Sequence, residues 1–162
     1  TTCIEVKLTC DDANHILSED ENFSGEITTP FAMEKYLEQF IIDNWHSLDL
    51  GKEYDLHEES IDGKRKKYRT DIGEIDIFAL SKDKKEYLVI ELKKGRATDK
   101  VVGQIQSYMG YIKEEIAKDY QEVKGLIIGL EDDLRLKRAL SVNPNISFRR
   151  YEVKFELFKS TV

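Results

Sequence analysis

Gly73–Lys94 reads GEIDIFALSKDKKEYLVIELKK, two runs of alternating character joined by a polar turn. In the first run Ile75, Ile77 and Ala79 alternate with Glu74, Asp76 and Phe78; in the second, Leu88, Ile90 and Leu92 alternate with Val89, Glu91 and Lys93. Period-two alternation predicts strands, and the polar loop Ser81 to Glu86 predicts that they form a hairpin. Side chains repeat every second residue along a strand, so Glu91 and Lys93 share a face. With Leu80 paired to Tyr87, counting back along the ladder sets Asp76 opposite Glu91. Two carboxylates and one ammonium then converge. Acids placed that close repel each other, a cost that a cation between them removes, and oxygen ligands of this kind suit Mg²⁺ or Mn²⁺.

Outward from the hairpin, the periodicity continues to assign elements. Downstream, Thr98 is placed to cap a helix whose core face is Val101, Ile105, Tyr108 or Met109, Ile112 and Ile116, with Gln104 and Tyr108 one turn apart along its edge. Val123 to Leu130, VKGLIIGL, is nearly all apolar, as expected of a central strand covered on both faces. A helix over Glu131 to Leu140 and one or two strands within Ile146 to Phe158 follow. Upstream, Thr29 then Pro30 reads as N-cap and first helical residue, and Met33, Tyr36, Leu37, Phe40, Ile41 and Trp45 form the apolar stripe. On the residues alone, Glu34 and Glu38 at the edge of that stripe are ordinary surface acids. Tyr54 and Leu56 predict a short strand, and Ile61-Asp62-Gly63 a turn into a basic run. The order from Pro30 to Leu130 is therefore αβββαβ, an α/β domain. Before it, residues 2–10 alternate like a strand, and residues 11–28 read as an acidic linker or mobile loop. The expected organisation is 1–29 as N-terminal strand and linker, joined to a missing domain if the chain is a fragment, and 30–162 as the main domain.

At 162 residues the chain is large enough for one well-formed core. Its net charge of −7 argues against a protein held on nucleic acid by bulk electrostatics, but the charge is unevenly spread. Residues 8–34 contain no Lys or Arg, whereas residues 11–26 hold six acids. Lys64, Arg65, Lys66, Lys67 and Arg69 precede the hairpin, and Lys93, Lys94, Arg96 and Lys100 follow its carboxylates. A charge run is often only a solvated loop; two runs flanking one acidic site favour contact with phosphates. Cys3 and Cys10 lie on one extended segment and are too far apart to bridge within it, and no secretory pattern opens the chain. No apolar run reaches the roughly 18 residues of a membrane span. A reduced, cytoplasmic setting without membrane contact is the expectation. His15, His46 and His57 have no zinc spacing and read as surface residues.

An Asp on one strand and Glu-Leu-Lys on the next resembles the PD-(D/E)XK nucleases, with their restriction-endonuclease-like core of mixed central sheet flanked by helices. The Gln104/Tyr108 pair in VVGQIQSYMGYIKEE matches the Gln-x-x-x-Tyr element of several branches, and MEKYLEQFIIDNW resembles their first core helix, with Glu34 at the position of the helix glutamate. With KYRTDIGEIDI included, the chain is most similar to the catalytic domain of NucS-type endonucleases, over about Pro30 to Leu130. Ile75 stands where the eponymous proline would be. The resemblance implies a Mg²⁺- or Mn²⁺-dependent endonuclease acting on DNA in repair or defence. Asp76, Glu91 and the Leu92 carbonyl would hold the cation, and Lys93 would serve the chemistry. Glu34, Gln104 and Tyr108 would complete the site, and Lys64, Arg65, Lys67, Arg69, Lys94 and Arg96 would contact the backbone. RNA stays open as a substrate, and cutting both strands would call for a homodimer. A rival reading is a catalytically idle nucleic-acid-binding or interaction module of the same fold, although such domains normally lose an acid or the lysine. A nucleotide-binding α/β domain is disfavoured: Gly103 and Gly110 fall inside a helix, and no phosphate-cradling glycine loop occurs.

Overall fold

The computed structural model describes residues 30–57, 59–61 and 64–152, with 30–35, 59–61 and 64–66 described by their backbone alone. The expected strand at 2–10, the acidic linker, both cysteines, His15 and everything after residue 152 lie outside the described residues. The chain divides between Glu53 and Tyr54 into two compact units.

In the first unit, helix α1 (Pro30–Asp43) begins at the proline, whose fixed φ and missing N–H suit a first turn. Of the expected apolar stripe, Ile41 and Trp45 are buried and Tyr36, Leu37 and Phe40 half-buried. Asn44 ends the helix by donating from Nδ2 to the Phe40 carbonyl at 2.9 Å. A 3₁₀ turn (Trp45–Ser47) and a short helix α2 (Asp49–Glu53) follow. Their close packing requires a glycine: a Cβ at Gly51 would stand 1.9 Å from the Trp45 carbonyl oxygen.

In the second unit, β1 (Tyr54–Leu56), β6 (Ile77–Ser81), β7 (Glu86–Arg96), β8 (Glu122–Glu131) and β9 (Ile146–Arg150) form one mixed sheet in the order β1-β6-β7-β8-β9. β1, β6 and β7 are antiparallel, whereas β7, β8 and β9 run parallel. Parallel neighbours need crossovers, and helices α3 (Asp99–Glu115) and α4 (Leu134–Ser141) supply them. The core face of α3 is the expected one: Val101, Ile105, Tyr108 and Ile112 are buried, with Val102 beside them. They pack with Phe78, Val89, Ile127, Leu136 and Ile146 into one cluster. Thr98 occupies the N-cap of α3 but makes no side-chain cap bond. α4 starts three residues later than expected because β8 runs on to Glu131 and Asp133 caps the helix, accepting from the Leu136 amide at 2.7 Å. His46 and His57 are exposed; the His57 ring meets Phe78 edge-on at 5.0 Å.

The hairpin forms in the expected register, Leu80 opposite Tyr87. Its turn is tied by Ser81, whose Oγ accepts from the Lys85 and Glu86 amides at 3.1 and 2.9 Å and donates to Asp83 at 2.7 Å. Three features differ from the sequence reading. Alternation in β7 does not separate a wet face from a dry one, since Leu88, Val89, Ile90, Glu91 and Leu92 are all buried, as befits a strand inside a partly parallel sheet. The basic run lies in strands that its sequence did not assign: β2 (Glu59–Ile61) pairs with β3 (Lys64–Lys66), and β4 (Tyr68–Thr70) with β5 (Gly73–Ile75). The strand expected over residues 73–79 is two strands with different partners, broken at Asp76.

Candidate active site

Asp76 stands where two ladders meet. In the β4–β5 hairpin Tyr68 pairs with Ile75, so one further step sets Lys67 opposite Asp76. In the β6–β7 hairpin Ile77 pairs with Ile90, so one step the other way sets Asp76 opposite Glu91. The carboxylate is held from both sides. Its Oδ1 accepts from Lys67 Nζ at 2.6 Å, and its Oδ2 accepts from the Leu92 backbone amide at 2.9 Å. The Leu92 side chain itself is buried.

Glu91 is only 3% exposed. Its Oε1 accepts from Lys93 Nζ at 2.8 Å, while Oε2 is buried without a hydrogen-bond partner among the described residues. An orphan carboxylate oxygen in a core is costly, about 1–3 kcal/mol or more for a charged group. Burial accordingly pushes the Glu91 carboxyl above its ordinary range, and the Asp76 charge pushes it the same way, with the Lys93 hydrogen bond and ammonium and the Lys67 charge opposing. Lys93 also donates to Gln104 Oε1 at 3.3 Å, so helix α3 braces the ammonium from across the sheet edge. Tyr108, one turn along, does not reach Lys93 by any hydrogen bond found among the described residues. It turns instead toward the β4–β5 turn, where a Cβ at Gly73 would lie 2.7 Å from its hydroxyl. Ile72, Gln104, Ser107 and Tyr108 line an open pocket there.

Asp76, Glu91, Lys93 and Gln104 thus form one connected group, with the Leu92 backbone in it. Glu34 lies on α1 with its side chain outside the described residues. Of the basic residues, Arg69 pairs with Glu74 at 3.0 Å and Arg96 with Glu131 at 3.2 Å, both on the surface. Lys94 is exposed, and its carbonyl accepts from the Tyr151 hydroxyl at 2.7 Å. The side chains of Lys64 and Arg65 lie outside the described residues. Lys67, expected among the phosphate contacts, points at Asp76. Thr70-Asp71-Ile72-Gly73 carried the overlooked signal: a two-residue turn there, closed by Thr70 Oγ1 donating to the Gly73 carbonyl at 2.8 Å, sets Lys67 against Asp76 by counting.

Among the described residues no group of three or more His, Cys, Asp or Glu gathers, so a divalent cation here would rest on the Asp76/Glu91 pair and nearby backbone oxygen. The donor set fits a hard cation. Oxygens predominate, and Glu91 Oε2 is a buried acceptor with its bonding unmet.

The family described as "Endonuclease NucS C-terminal domain" matches residues 33–159. No curated protein matches the chain. Among solved structures, a repair endonuclease from Pyrococcus abyssi is similar with a TM-score of 0.57 at 19% identity, over 80% of this chain and 50% of that one. EndoMS in complex with double-stranded DNA is similar at 0.61 and 20% identity, over 85% of this chain and 51% of that one. EndoMS in its apo form gives 0.54 and 22%, over 82% and 50%. The chain therefore spans about half the length of these proteins.

Proposed function

The chain belongs to the endonuclease NucS C-terminal domain family, and from that premise we propose that it is the metal-dependent nuclease domain of a DNA-repair enzyme, built on a PD-(D/E)XK site and hydrolysing phosphodiester bonds of double-stranded DNA. The observation that carries the reading is the carboxylate pair: buried Glu91 with one unpartnered oxygen, facing half-buried Asp76, with Lys93 bonded to Glu91. A purely structural site of this kind would be an expense without return, because an apolar residue would fill the position more stably.

Asp76, Glu91 and the Leu92 carbonyl would hold Mg²⁺ or Mn²⁺. When bound, such a cation polarises a phosphate and makes water a better nucleophile at neutral pH. Asp76 is oriented for this by the Leu92 amide, which donates to Oδ2 at 2.9 Å. Lys93 would stabilise charge developing on the phosphate oxygens, and Gln104 keeps its ammonium from swinging away. Tyr108 and Ile72 would shape the approach beside the pocket they line. Double-stranded DNA is the ligand named for one similar structure, which supports DNA over RNA as substrate. The test is cleavage of end-labelled duplex, mismatched, flapped and single-stranded DNA with Mg²⁺, Mn²⁺ or EDTA. Cutting with either cation, lost in EDTA and in Asp76→Ala or Glu91→Ala, is expected. Full activity in EDTA would overturn the reading.

A further inference from the structure

We propose that Lys67 is a second lysine of this site, a tethered cation that occupies Asp76 until a divalent ion displaces it and so sets how tightly the site binds metal. The proposal rests on the metal-dependent reading above and adds a residue that reading does not use.

Lys67 is aligned with Asp76 by the backbone. Tyr68, its neighbour, pairs with Ile75 and packs its ring on Phe78 at 4.8 Å, while β3 ends one residue before it at Lys66. Both flanks of Lys67 are therefore strand, and the 2.6 Å contact with Oδ1 falls one residue beyond the end of the β4–β5 ladder, where its register points. A surface lysine drawn in by chance would have no such registration.

Charge balance then decides what a metal ion must do. Among the described side chains of this group, Asp76 and Glu91 supply two negative charges, and Lys67 and Lys93 supply two positive ones. A divalent cation entering this group leaves it with two positive charges in excess, so the arrangement favours the departure of one ammonium. Lys93 is the worse candidate, because its carboxylate partner Glu91 has a side chain only 4% exposed. Lys67 is the better one, since its side chain is 36% exposed and faces a carboxylate that is 17% exposed, close enough to water for the ammonium to be rehydrated. Once released, Lys67 carries its charge to the surface of the site, where the anionic backbone of a nucleic acid would arrive.

The experiment is calorimetric titration of Mn²⁺ into the full chain without nucleic acid, for wild type, Lys67→Met, Lys67→Arg and Asp76→Asn. Lys67→Met keeps the stem and removes the competitor, so it should bind Mn²⁺ roughly two- to fivefold more tightly, the scale of a partly exposed ion pair. Lys67→Arg keeps the charge and should stay near wild type. Should Lys67→Met unfold, Lys67→Gln replaces it with the same expectation. Wild-type binding that Asp76→Asn abolishes but Lys67→Met leaves unchanged or weaker overturns this proposal alone. No Mn²⁺ binding by either wild type or Lys67→Met overturns it together with the metal-dependent reading.

Discussion

Glu91 is the residue on which the site's energetics turn. Its folded-state carboxyl is raised by burial and by the Asp76 charge, so between the ordinary glutamate range and that raised position the folded protein holds a proton the unfolded chain has lost. Stability from this group is present at low pH and falls as pH rises through the window. In EDTA, urea denaturation from pH 4 to 8 should therefore show Glu91→Gln gaining on wild type as pH rises, and a parallel pair of curves would refute the assignment. Lys93 makes the complementary prediction in kinetics. Lys93→Met keeps the stem but removes the charge and its donors, so metal and DNA binding should survive while single-turnover cleavage slows by about 10² to 10³, as for losing one preorganised group. A near-normal rate would make Lys93 structural. The facing of Asp76 and Glu91 was legible because both lie within a few residues of one tight turn, where a single count fixes the pairing. Lys67 was not, because a run of Lys and Arg carries no hydrophobic period from which to read a strand.

Among the elements, the β4–β5 hairpin is what the sequence concealed, and its turn brings Ile72 and Gly73 against Tyr108. It turns at Asp71–Ile72 and passes into Gly73 with φ +144°, a conformation L side chains rarely adopt. A Cβ there would also meet the Tyr108 hydroxyl, which is the end of a rigid, buried ring and cannot simply move aside. Gly73→Ala should cost about 1–3 kcal/mol in urea denaturation. In a Tyr108→Phe background the cost should fall, since the steric part is relieved and the backbone strain remains. An equal cost in both backgrounds would show that the two elements do not touch in solution. Helix α3 was easier to read, because its apolar positions recur at helical spacing. That Gln104 meets Lys93 required the helix to dock on the sheet, a contact between residues 11 apart in sequence.

For the molecule as a whole, the proposed polyanionic substrate would have to be met by a chain of net charge −7. Binding would then depend on local basic residues, and exposed pairs such as Arg69–Glu74 cost little to open. Replacing Lys64, Arg65 and Arg69 by Ala should weaken binding evenly across DNA sequences and flatten the salt dependence of affinity by about 0.9 for each phosphate no longer neutralised, measured by fluorescence anisotropy. An unchanged slope would return the run to a merely structural strand. What the sequence by itself determined were the features with local periodicity: helix α1 from its proline, the β6–β7 hairpin and its register, the apolar β8, and Glu91 and Lys93 on one strand face. Tertiary structure alone decided that β7, β8 and β9 lie parallel, that β7 is buried on both faces, that the chain breaks at Asp76 to serve two ladders, and that Lys67 pairs with that carboxylate. These rest on pairings between distant segments, whose free energy comes from burial and cross-strand contact and leaves no repeat in the order of residues.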